Sequence, residues 1–378
     1  MRMGIGHTAE HVSEGHPDKF CDQVADRILD EVLALTGGDA DARKSVRTAI
    51  ECLAKDNLLI VSGEVNLPPA IKAQLDVLEL ARGVWKEIGY GDDPETLSVI
   101  NHVQTQSDAI AKGGGTGVDA GGAGDQGIMV GYATNETPEL MPKEWVLARD
   151  ICLKLRDLRK TGVLPWLKSD CKSQVTIDDA GQVKNVVVAA QHVKKGHPDH
   201  VSTEELRTQI CDKVLAVVLP GVKVDPNKIN GTGAFDIGGP TGDAGVVGRK
   251  IVVDAYGPRI PVGGGAYSGK DPTKVDRSAA YMARLIARTA VIEEEANECL
   301  VRIAYGIGQK DPEMVTAVTE TGKNLQSWLE KRFPLKELQP LAIIERLSLR
   351  SPGGWSYQDT AAYGHYGRTD KSFPWEQD

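Results

Sequence analysis

One order of secondary structure recurs three times along the chain, and this recurrence constrains the fold more than any other feature. Each copy predicts a helix, two strands joined by a turn, and a second helix. The first copy covers 17–35, 46–54, 58–65 and 69–88. The second covers 141–160, 173–177, 183–193 and 202–219, and the third covers 275–296, 299–305, 314–320 and 322–333.

Strands joined by short turns pair antiparallel, whereas parallel strands need long crossovers. The sequence therefore predicts an α/β (α+β) protein rather than one doubly wound parallel sheet. We expect three pseudo-symmetric domains, each a sheet with helices on one face and each with a helix–β-hairpin–helix order.

Charge and hydropathy exclude several classes of function. The chain has 378 residues, with 44 Lys and Arg against 53 Asp and Glu, and a net charge of −9. General nucleic-acid or anionic-membrane binders are normally basic, so we expect neither partner. No apolar run approaches the roughly 20 residues that span a bilayer. With no expected secretory signal and six scattered cysteines, the sequence favours a cytoplasmic protein with reduced thiols.

Glycine is abundant and clustered. The 41 glycines concentrate at 112–127, 231–248 and 263–269. Such clusters let backbone N–H groups approach a ligand, or let a loop move. The stretch 113–127 fits a mobile lid over an active site, and a plain linker is the alternative.

The run at 13–19 places several charged side chains at the start of a helix. Pro17 suits the first helical position, and His16, Asp18 and Lys19 surround it. The N-terminus of a helix attracts anions, and a carboxylate there can bind magnesium. The alternative is an ordinary helix cap with surface charges.

Residues 264–270 satisfy G-x-x-x-x-G-K, the front of a P-loop, but Asp271 replaces the required Ser or Thr. We expect a strand over 250–256 before this loop and a helix after Pro272. The pattern predicts a phosphate-binding glycine loop, with a true P-loop NTPase as the alternative. Lys274 and Asp276 add a cation and a possible metal ligand.

Two other segments could contribute to a site. A rigid turn at 238–245 carries Asp243 and is followed by Arg249 and Lys250. Its alternative is an ordinary loop with an exposed basic pair.

Lys172 precedes a strand and could donate to phosphate or be a solvated strand-edge charge. Glu51 and Glu64 lie on the two arms of the first hairpin, where they could bind a cation or face solvent. The pieces together indicate a magnesium-dependent enzyme acting on a polyphosphate nucleotide, with the acceptor unidentified.

The runs at 13–19, 122–127 and 263–278 resemble S-adenosylmethionine synthetase (methionine adenosyltransferase). Matches at 131–137, 164–167 and 360–365 follow in the same order, so the resemblance extends from about Ser13 to Glu376. It implies domains at 1–109, 125–234 and 235–378, with a gating loop and linker at 110–124. It also implies a homodimer with active sites at the subunit interface, usually paired into a tetramer.

The implied reaction joins ATP and L-methionine. The methionine sulfur attacks C5′ of ATP and expels triphosphate, which is hydrolysed to pyrophosphate and phosphate. A neutral thioether needs no general base, so catalysis should be positioning and electrostatic stabilisation of the leaving triphosphate.

The resemblance also implies the site residues. The catalytic residues are His16, Lys172, Arg249 and Lys270. The ATP-binding residues are His16, Asp170, Lys172, Phe235, Asp243, Arg249, Lys250, Ala266 and Lys270, with Phe235 stacked on adenine. The methionine-binding residues are Glu64, Gln106, Asp125, Asp243 and Lys274. Two Mg²⁺ per site are expected on Asp18 and Asp276, and one K⁺ on Glu51.

The chain departs from the family pattern near the adenine position. Ala234 and Asp236 flank Phe235 where the family has Arg and Val, Val262 replaces a His, and Tyr267 replaces a Phe. The lid lacks its usual proline. We expect a looser lid and altered nucleotide affinity. A catalytically silent nucleotide-binding homologue and a phosphoryl-transferring kinase are the alternative functions.

Overall fold

A computed structural model describes residues 6–91, 93–105, 121–293 and 295–377. Its strands form three sheets in a mixed α/β fold. The strands are β1 Gly6–Val12, β2 Arg47–Lys55, β3 Leu58–Asn66, β4 Ser98–Gln104, β5 Gly127–Thr134, β6 Leu167–Asp178, β7 Val183–His192, β8 Gly245–Val246, β9 Glu298–Tyr305 and β10 Met314–Thr319. Sheet 1 has the order β1-β6-β7, sheet 2 has β4-β3-β2-β8, and sheet 3 has β10-β9-β5.

Three long helices pack on the sheets. Helix α1 (Pro17–Leu35) lies against β2, α5 (Lys143–Lys160) against β1 and β6, and α10 (Val275–Ile292) against β5 and β9. The helices are α1 Pro17–Leu35, α2 Ala40–Ser45, α3 Pro69–Lys72, α4 Val77–Ile88, α5 Lys143–Lys160, α6 Thr203–Ile210, α7 Ala216–Val218, α8 Gly239–Gly242, α9 Ile251–Asp254, α10 Val275–Ile292, α11 Gln326–Arg332, α12 Pro340–Arg346 and α13 Tyr357–Thr360. None of the helices in the described ranges is long and apolar enough to cross a membrane.

The three expected hairpins are present. The strands β2 and β3, β6 and β7, and β9 and β10 are consecutive antiparallel pairs. The helix expected over 69–88 is interrupted between α3 and α4, and the one over 202–219 contains a π-helical turn at Cys211–Leu215. The strand expected over 250–256 is wrong, because the short helix α9 occupies that segment.

Strands that are distant in sequence complete each sheet. The β1 strand pairs with β6, so that Val12 lies opposite Lys172. The β5 strand pairs with β9, and β8 pairs with β2. These pairings bring the segments that carry the predicted site residues together, while the domain boundaries at 109, 124 and 234 stay a prediction.

One face of sheet 2 packs on α1 and the other is open. Ile50, Cys52 and Ala54 point into the core and are almost fully buried. The alternate positions of β2 face outward, and Leu53 lies in a cross-strand row with Ile60 of β3 and Ile100 of β4. Leu53 is 43% exposed and Ile100 51% exposed, so this open face presents apolar side chains to its surroundings.

Candidate active site

Helix α1 begins in the way the sequence predicts. Pro17 occupies the first turn, and the His16 side chain caps the helix, its Nδ1 accepting the N–H of Asp18 at 3.2 Å. A neutral imidazole that accepts at Nδ1 carries its proton on Nε2, so Nε2–H is the donor that remains. Burial lowers the pKa of His16 to about 4, with the positive charges of Lys250, Lys172 and Lys19 adding to the effect and Asp18 opposing it. His16 is therefore neutral at physiological pH.

Close backbone contacts hold β6 against the loop before α1. The Ser13 hydroxyl donates to the carbonyl of Ser169 at 2.6 Å and accepts the N–H of Cys171 at 2.8 Å. A Cβ on Gly15 would lie 2.4 Å from the carbonyl carbon of Ser169, so only glycine permits this approach. The contact places Lys172 near His16, where its ammonium also pairs with Glu10 at 2.7 Å.

The Asp18 carboxylate is buried and holds the segment around β8. It accepts the backbone N–H of Val246 at 2.9 Å and the Lys250 ammonium at 2.6 Å. Arg249 is exposed beside it, and Arg249, Lys250 and Glu10 line one cavity of about 490 Å³. Lys250 of the expected basic pair thus lies at the N-terminus of α1, and Arg249 lines the cavity next to it.

Asp170 connects this region to the rigid turn. Its carboxylate accepts the N–H of Gly239 at 2.7 Å. Burial raises the pKa of Asp170 to about 6; the Gly239 hydrogen bond opposes the shift, and the charge of Asp243 reinforces it. Asp243 itself is exposed. We call the charged residues around the start of α1 the α1 group. Its members are His16, Asp18, Asp170, Lys172, Asp243, Arg249 and Lys250.

Phe235 precedes the turn and is fixed by its backbone. Its N–H donates to Nε2 of His192 at 2.9 Å, and its carbonyl accepts the N–H of His192 at 2.9 Å. The ring is partly exposed. Asp236 lines a cavity of about 330 Å³ that also contains Lys168 and Lys194.

The glycine loop brings a second set of charged residues together. Lys270 pairs with Asp276 at 2.5 Å, and Lys274 pairs with the fully buried Asp271 at 2.5 Å. Burial alone would raise the pKa of Asp271, but the Lys274 charge and its hydrogen bonds lower it overall. A Cβ on Gly265 would lie 2.3 Å from the Asp276 carboxylate, so the loop and this side chain are in direct contact.

Glu51 and Glu64 lie on the open face of sheet 2. Glu64 pairs in register with Ala49, two positions before Glu51 on β2. Ala49 also bridges to the backbone of Lys270. Burial raises the pKa of Glu51, while the Lys270 charge opposes the shift. Glu51, Glu64, Lys270, Lys274 and Asp276 form the glycine-loop group.

The remaining predicted residues connect to these groups or lie outside the described ranges. Asp125 caps a turn by accepting the N–H of Gln126 at 2.7 Å, just before Gly127, which packs on Asp276. The Ala266 methyl packs on Gly248, beside Arg249. Gln106 and residues 110–120 of the expected gating loop and linker lie outside the described residues. Tyr267 is buried, with its ring 4.4 Å from that of His365.

The donor set can accommodate magnesium but does not form a cage for it. No three His, Cys, Asp or Glu side chains in the described parts of the chain come together as metal ligands. Asp18 and Asp276 are single carboxylates beside lysines. Because Mg²⁺ in nucleotide sites takes one or two carboxylates and completes its shell with phosphate oxygens and water, this arrangement fits it.

The arrangement does not fit a P-loop NTPase. A helix precedes the glycine loop where a P-loop needs a strand, and α10 begins at Val275, after rather than at Lys270. No hydrogen bond or ion pair links the α1 group to the glycine-loop group within the described residues.

Sequence reasoning missed the buried charges beneath both groups. Asp22, Asp26 and Asp254 are almost fully buried, and Arg277 is fully buried with both Asp26 oxygens as partners, at 2.6 and 2.8 Å. The one sequence feature that could have indicated these residues is the four-residue spacing of the aspartates along α1, at 18, 22, 26 and 30.

Comparison with known proteins finds similarity along almost the entire chain. Three family domains match: the S-adenosylmethionine synthetase N-terminal domain at 5–108, the central domain at 120–235 and the C-terminal domain at 237–377. The S-adenosylmethionine synthase of Petrotoga mobilis is 42% identical over 398 residues, covering 98% of this chain and 95% of that protein. The chain therefore belongs to the S-adenosylmethionine synthetase family, the methionine adenosyltransferases that make S-adenosylmethionine from ATP and methionine.

Proposed function

We propose that the triphosphate of ATP binds the cations of the α1 group together with Lys270. The observation that carries this proposal is the meeting of Lys172 and Lys250 with neutral His16 at the N-terminus of α1. Ammonium groups, imidazole N–H and the free N–H groups of a helix start are all donors suited to phosphate oxygens. Arg249 adds a fork of donors beside the same cavity.

The proposed chemistry needs stabilisation of a leaving group rather than a base. The methionine sulfur attacks C5′ as a neutral nucleophile, and negative charge develops on the departing triphosphate. His16, Lys172, Arg249 and Lys270 oppose that charge. The Nε2–H of His16 donates to the oxygen that bridges C5′ and the α-phosphate, and the released triphosphate is then hydrolysed to pyrophosphate and phosphate.

Two Mg²⁺ per site are assigned to Asp18 and Asp276, and one K⁺ to Glu51. Bound magnesium neutralises charge on the triphosphate oxygens. The raised pKa of Glu51 supports its assignment: partial desolvation raises it and the Lys270 charge opposes the shift, and a bound cation would favour the carboxylate in the same way although the side chain lies exposed on the open face.

The other substrate contacts follow from the residues that surround these charges. Phe235 is assigned to stack on adenine, with Asp170 and Ala266 contributing to the ATP pocket. Methionine binding is assigned to Glu64, Gln106, Asp125, Asp243 and Lys274, with the Glu64 carboxylate facing the methionine ammonium. The altered residues Ala234 and Asp236 are proposed to change nucleotide affinity; unchanged nucleoside triphosphate selectivity after Ala234→Arg with Asp236→Val would contradict this.

The enzyme is proposed to be a homodimer, usually paired into a tetramer, with three pseudo-symmetric domains and a cytoplasmic location. The dimer is supported by the lack of any hydrogen bond or ion pair between the α1 group and the glycine-loop group in the described residues, because a second copy could place its glycine-loop group against this α1 group. The row of Leu53, Ile60 and Ile100 on the open face of sheet 2 adds apolar surface suited to burial in such an interface.

Incubation of the purified protein with ATP, L-methionine, Mg²⁺ and K⁺, with products read by mass spectrometry, tests the proposed reaction. S-adenosylmethionine with pyrophosphate and phosphate is expected, and omission of methionine, Mg²⁺ or K⁺ should reduce it. ADP would indicate phosphoryl transfer instead. Nucleotide binding without turnover would indicate a silent homologue.

A further inference from the structure

Helix α1 carries four aspartates spaced four residues apart, which places them along one side of the helix. Each of them accepts a backbone N–H from a segment distant in sequence. Asp18 accepts from Val246, Asp22 from Gly248 and Asp26 from Gly269, and Asp30 accepts from Tyr357 and Gln358. We call these four residues the α1 aspartate row. Three of them hold segments that carry predicted phosphate-binding cations.

Asp22 holds the segment of Arg249 and Lys250. It is fully buried, with one oxygen 2.9 Å from the N–H of Gly248 and the other 2.9 Å from the Lys19 ammonium. Gly248 has a φ of +74°, a left-handed conformation that glycine adopts without strain. A Cβ there would also lie 2.6 Å from that of Ala266. The backbone immediately before the basic pair is thus held in one conformation.

Asp26 holds the segment of Lys270 in the same way. It is fully buried, and its Oδ1 accepts the N–H of Gly269 at 2.9 Å while Arg277 pairs with both of its oxygens. Gly269 has a φ of +80°, and a Cβ there would lie 2.2 Å from the carbonyl oxygen of Ile50. Arg277 also donates to the carbonyl of Lys270 at 3.1 Å, so the backbone is held both before and after the bond that joins Gly269 to Lys270.

We propose that Asp22 and Asp26 are positioning residues, which set the places of Lys250 and Lys270 by holding the left-handed glycine before each cation segment. The inference rests on the proposed assignment of those lysines to the triphosphate. Neither aspartate needs to touch substrate. Through them, one helix fixes the cation segments of both the α1 group and the glycine-loop group.

Asp30 offers a matched control within the same row. Its two oxygens accept the N–H groups of Tyr357 and Gln358 at 2.8 and 2.9 Å, in a segment to which no site residue is assigned. An asparagine has one acceptor oxygen, so Asp30→Asn and Asp22→Asn each lose one backbone hydrogen bond. In Asp22→Asn the remaining oxygen should stay with the Lys19 ammonium, and the amide N–H₂ would then face the N–H of Gly248.

The test compares full-length wild type, Asp22→Asn and Asp30→Asn. The readouts are kcat and KM for ATP at saturating methionine, calorimetric affinity for inorganic tripolyphosphate with Mg²⁺, and the thermal unfolding midpoint. Removing an orienting group typically costs roughly 10- to 100-fold, and we expect that loss in kcat/KM and in tripolyphosphate affinity for Asp22→Asn. Asp30→Asn should lower the unfolding midpoint and leave both quantities unchanged.

Equal kinetic losses in the two variants, or no loss in Asp22→Asn, would overturn the proposal and leave the row with a purely structural role. If Asp22→Asn does not fold, Asp22→Ser takes its place, since its shorter side chain leaves Lys19 paired with Asp254. Lys250→Met serves as the check on the underlying assignment. If it leaves tripolyphosphate affinity intact, the assignment of the phosphates fails, and the inference fails with it for a distinguishable reason.

Discussion

Replacing Gly265 in the glycine loop with alanine should lower turnover while leaving the free energy of unfolding nearly unchanged. A Cβ on Gly265 would lie 2.3 Å from both Cγ and Oδ1 of Asp276 and 2.7 Å from Oδ2. Gly265 is not among the glycines with positive φ, so alanine fits its backbone conformation. The carboxylate is the end of a side chain and can rotate away. We therefore expect the Asp276 side chain to move while the loop stays folded.

The size of the effect follows from that displacement. Ordinary contact with a Cβ begins near 3.4 Å, so the carboxylate must retreat by about 1 Å. A shift of that size opens the 2.5 Å pair between Lys270 and Asp276. Misplacing an active-site group by about 1 Å can reduce turnover by about 100-fold, equivalent to about 3 kcal/mol of transition-state stabilisation.

Stability should change far less. The side chains of Lys270 and Asp276 are 24% and 14% exposed, and partly solvated pairs of this kind contribute about 1 kcal/mol or less. Alanine also restricts the unfolded chain, which stabilises the native state by about 0.4–1 kcal/mol. The two effects oppose each other, so we expect the free energy of unfolding to stay within about 1 kcal/mol of wild type.

The assay measures S-adenosylmethionine formation over a range of ATP concentrations, alongside denaturant unfolding. Gly353→Ala is the matched control, because its Cβ would meet nothing within 4 Å and its φ is not in the left-handed region. Wild-type turnover in Gly265→Ala would refute the placement of Asp276 in the reacting site. A loss of activity with an equal loss of stability would refute the claim that the effect is local.

Three further predictions use other buried or charged groups. Lys270→Met should reduce kcat by about 100- to 1,000-fold while changing stability by about 1 kcal/mol or less, and retained turnover would remove its role on the triphosphate. Arg277→Met leaves the buried Asp26 carboxylate unpaired and should lower the free energy of unfolding by about 3–5 kcal/mol; an unchanged denaturation curve would contradict that ion pair. Burial lowers the pKa of His11 to about 3. Its unfolded pKa is near 6.5, so the native state binds fewer protons between these values and stability falls as pH falls through that window, by up to about 5 kcal/mol. Denaturant unfolding of wild type and His11→Gln at pH 7.5 and pH 5 measures this contribution, and the free energy of unfolding should fall less with pH in His11→Gln. An equal fall in the two proteins would show that His11 does not contribute.

The parts of the fold that were predictable from the sequence depend on local signals. Pro17 and the spacing of Phe20, Val24 and Ile28 mark α1, whose observed bounds match the expected ones. The three hairpins were predictable because each turn lies between two short apolar strands. The segment 250–256 was expected to be a strand because its β-branched residues favour strands locally. The structure forms the short helix α9 there instead, and the N–H of Asp254 donates to the carbonyl of Lys250 at 2.8 Å.

Long-range pairing was not predictable in the same way. The β1 strand pairs with β6, and nothing in its own sequence identifies a partner more than 150 residues away. The α1 aspartates illustrate the same limit for the site. On an amphipathic helix Asp22 and Asp26 look like solvent-facing acids, and only the tertiary structure reveals that Gly248, Gly269 and Arg277 satisfy them.

Local pairing explains how an acidic protein can present a site for a polyanion. The net charge of −9 opposes a triphosphate, and three of the lysines assigned to it each form an ion pair with a carboxylate: Lys172 with Glu10, Lys250 with Asp18, and Lys270 with Asp276. Each of these carboxylates offsets the positive charge of its lysine in the absence of ligand. A ligand that offers phosphate oxygens to these lysines would therefore compete with one paired carboxylate at each of them. At the proposed site, the local cations rather than the total charge of the chain would then decide whether a polyanion binds.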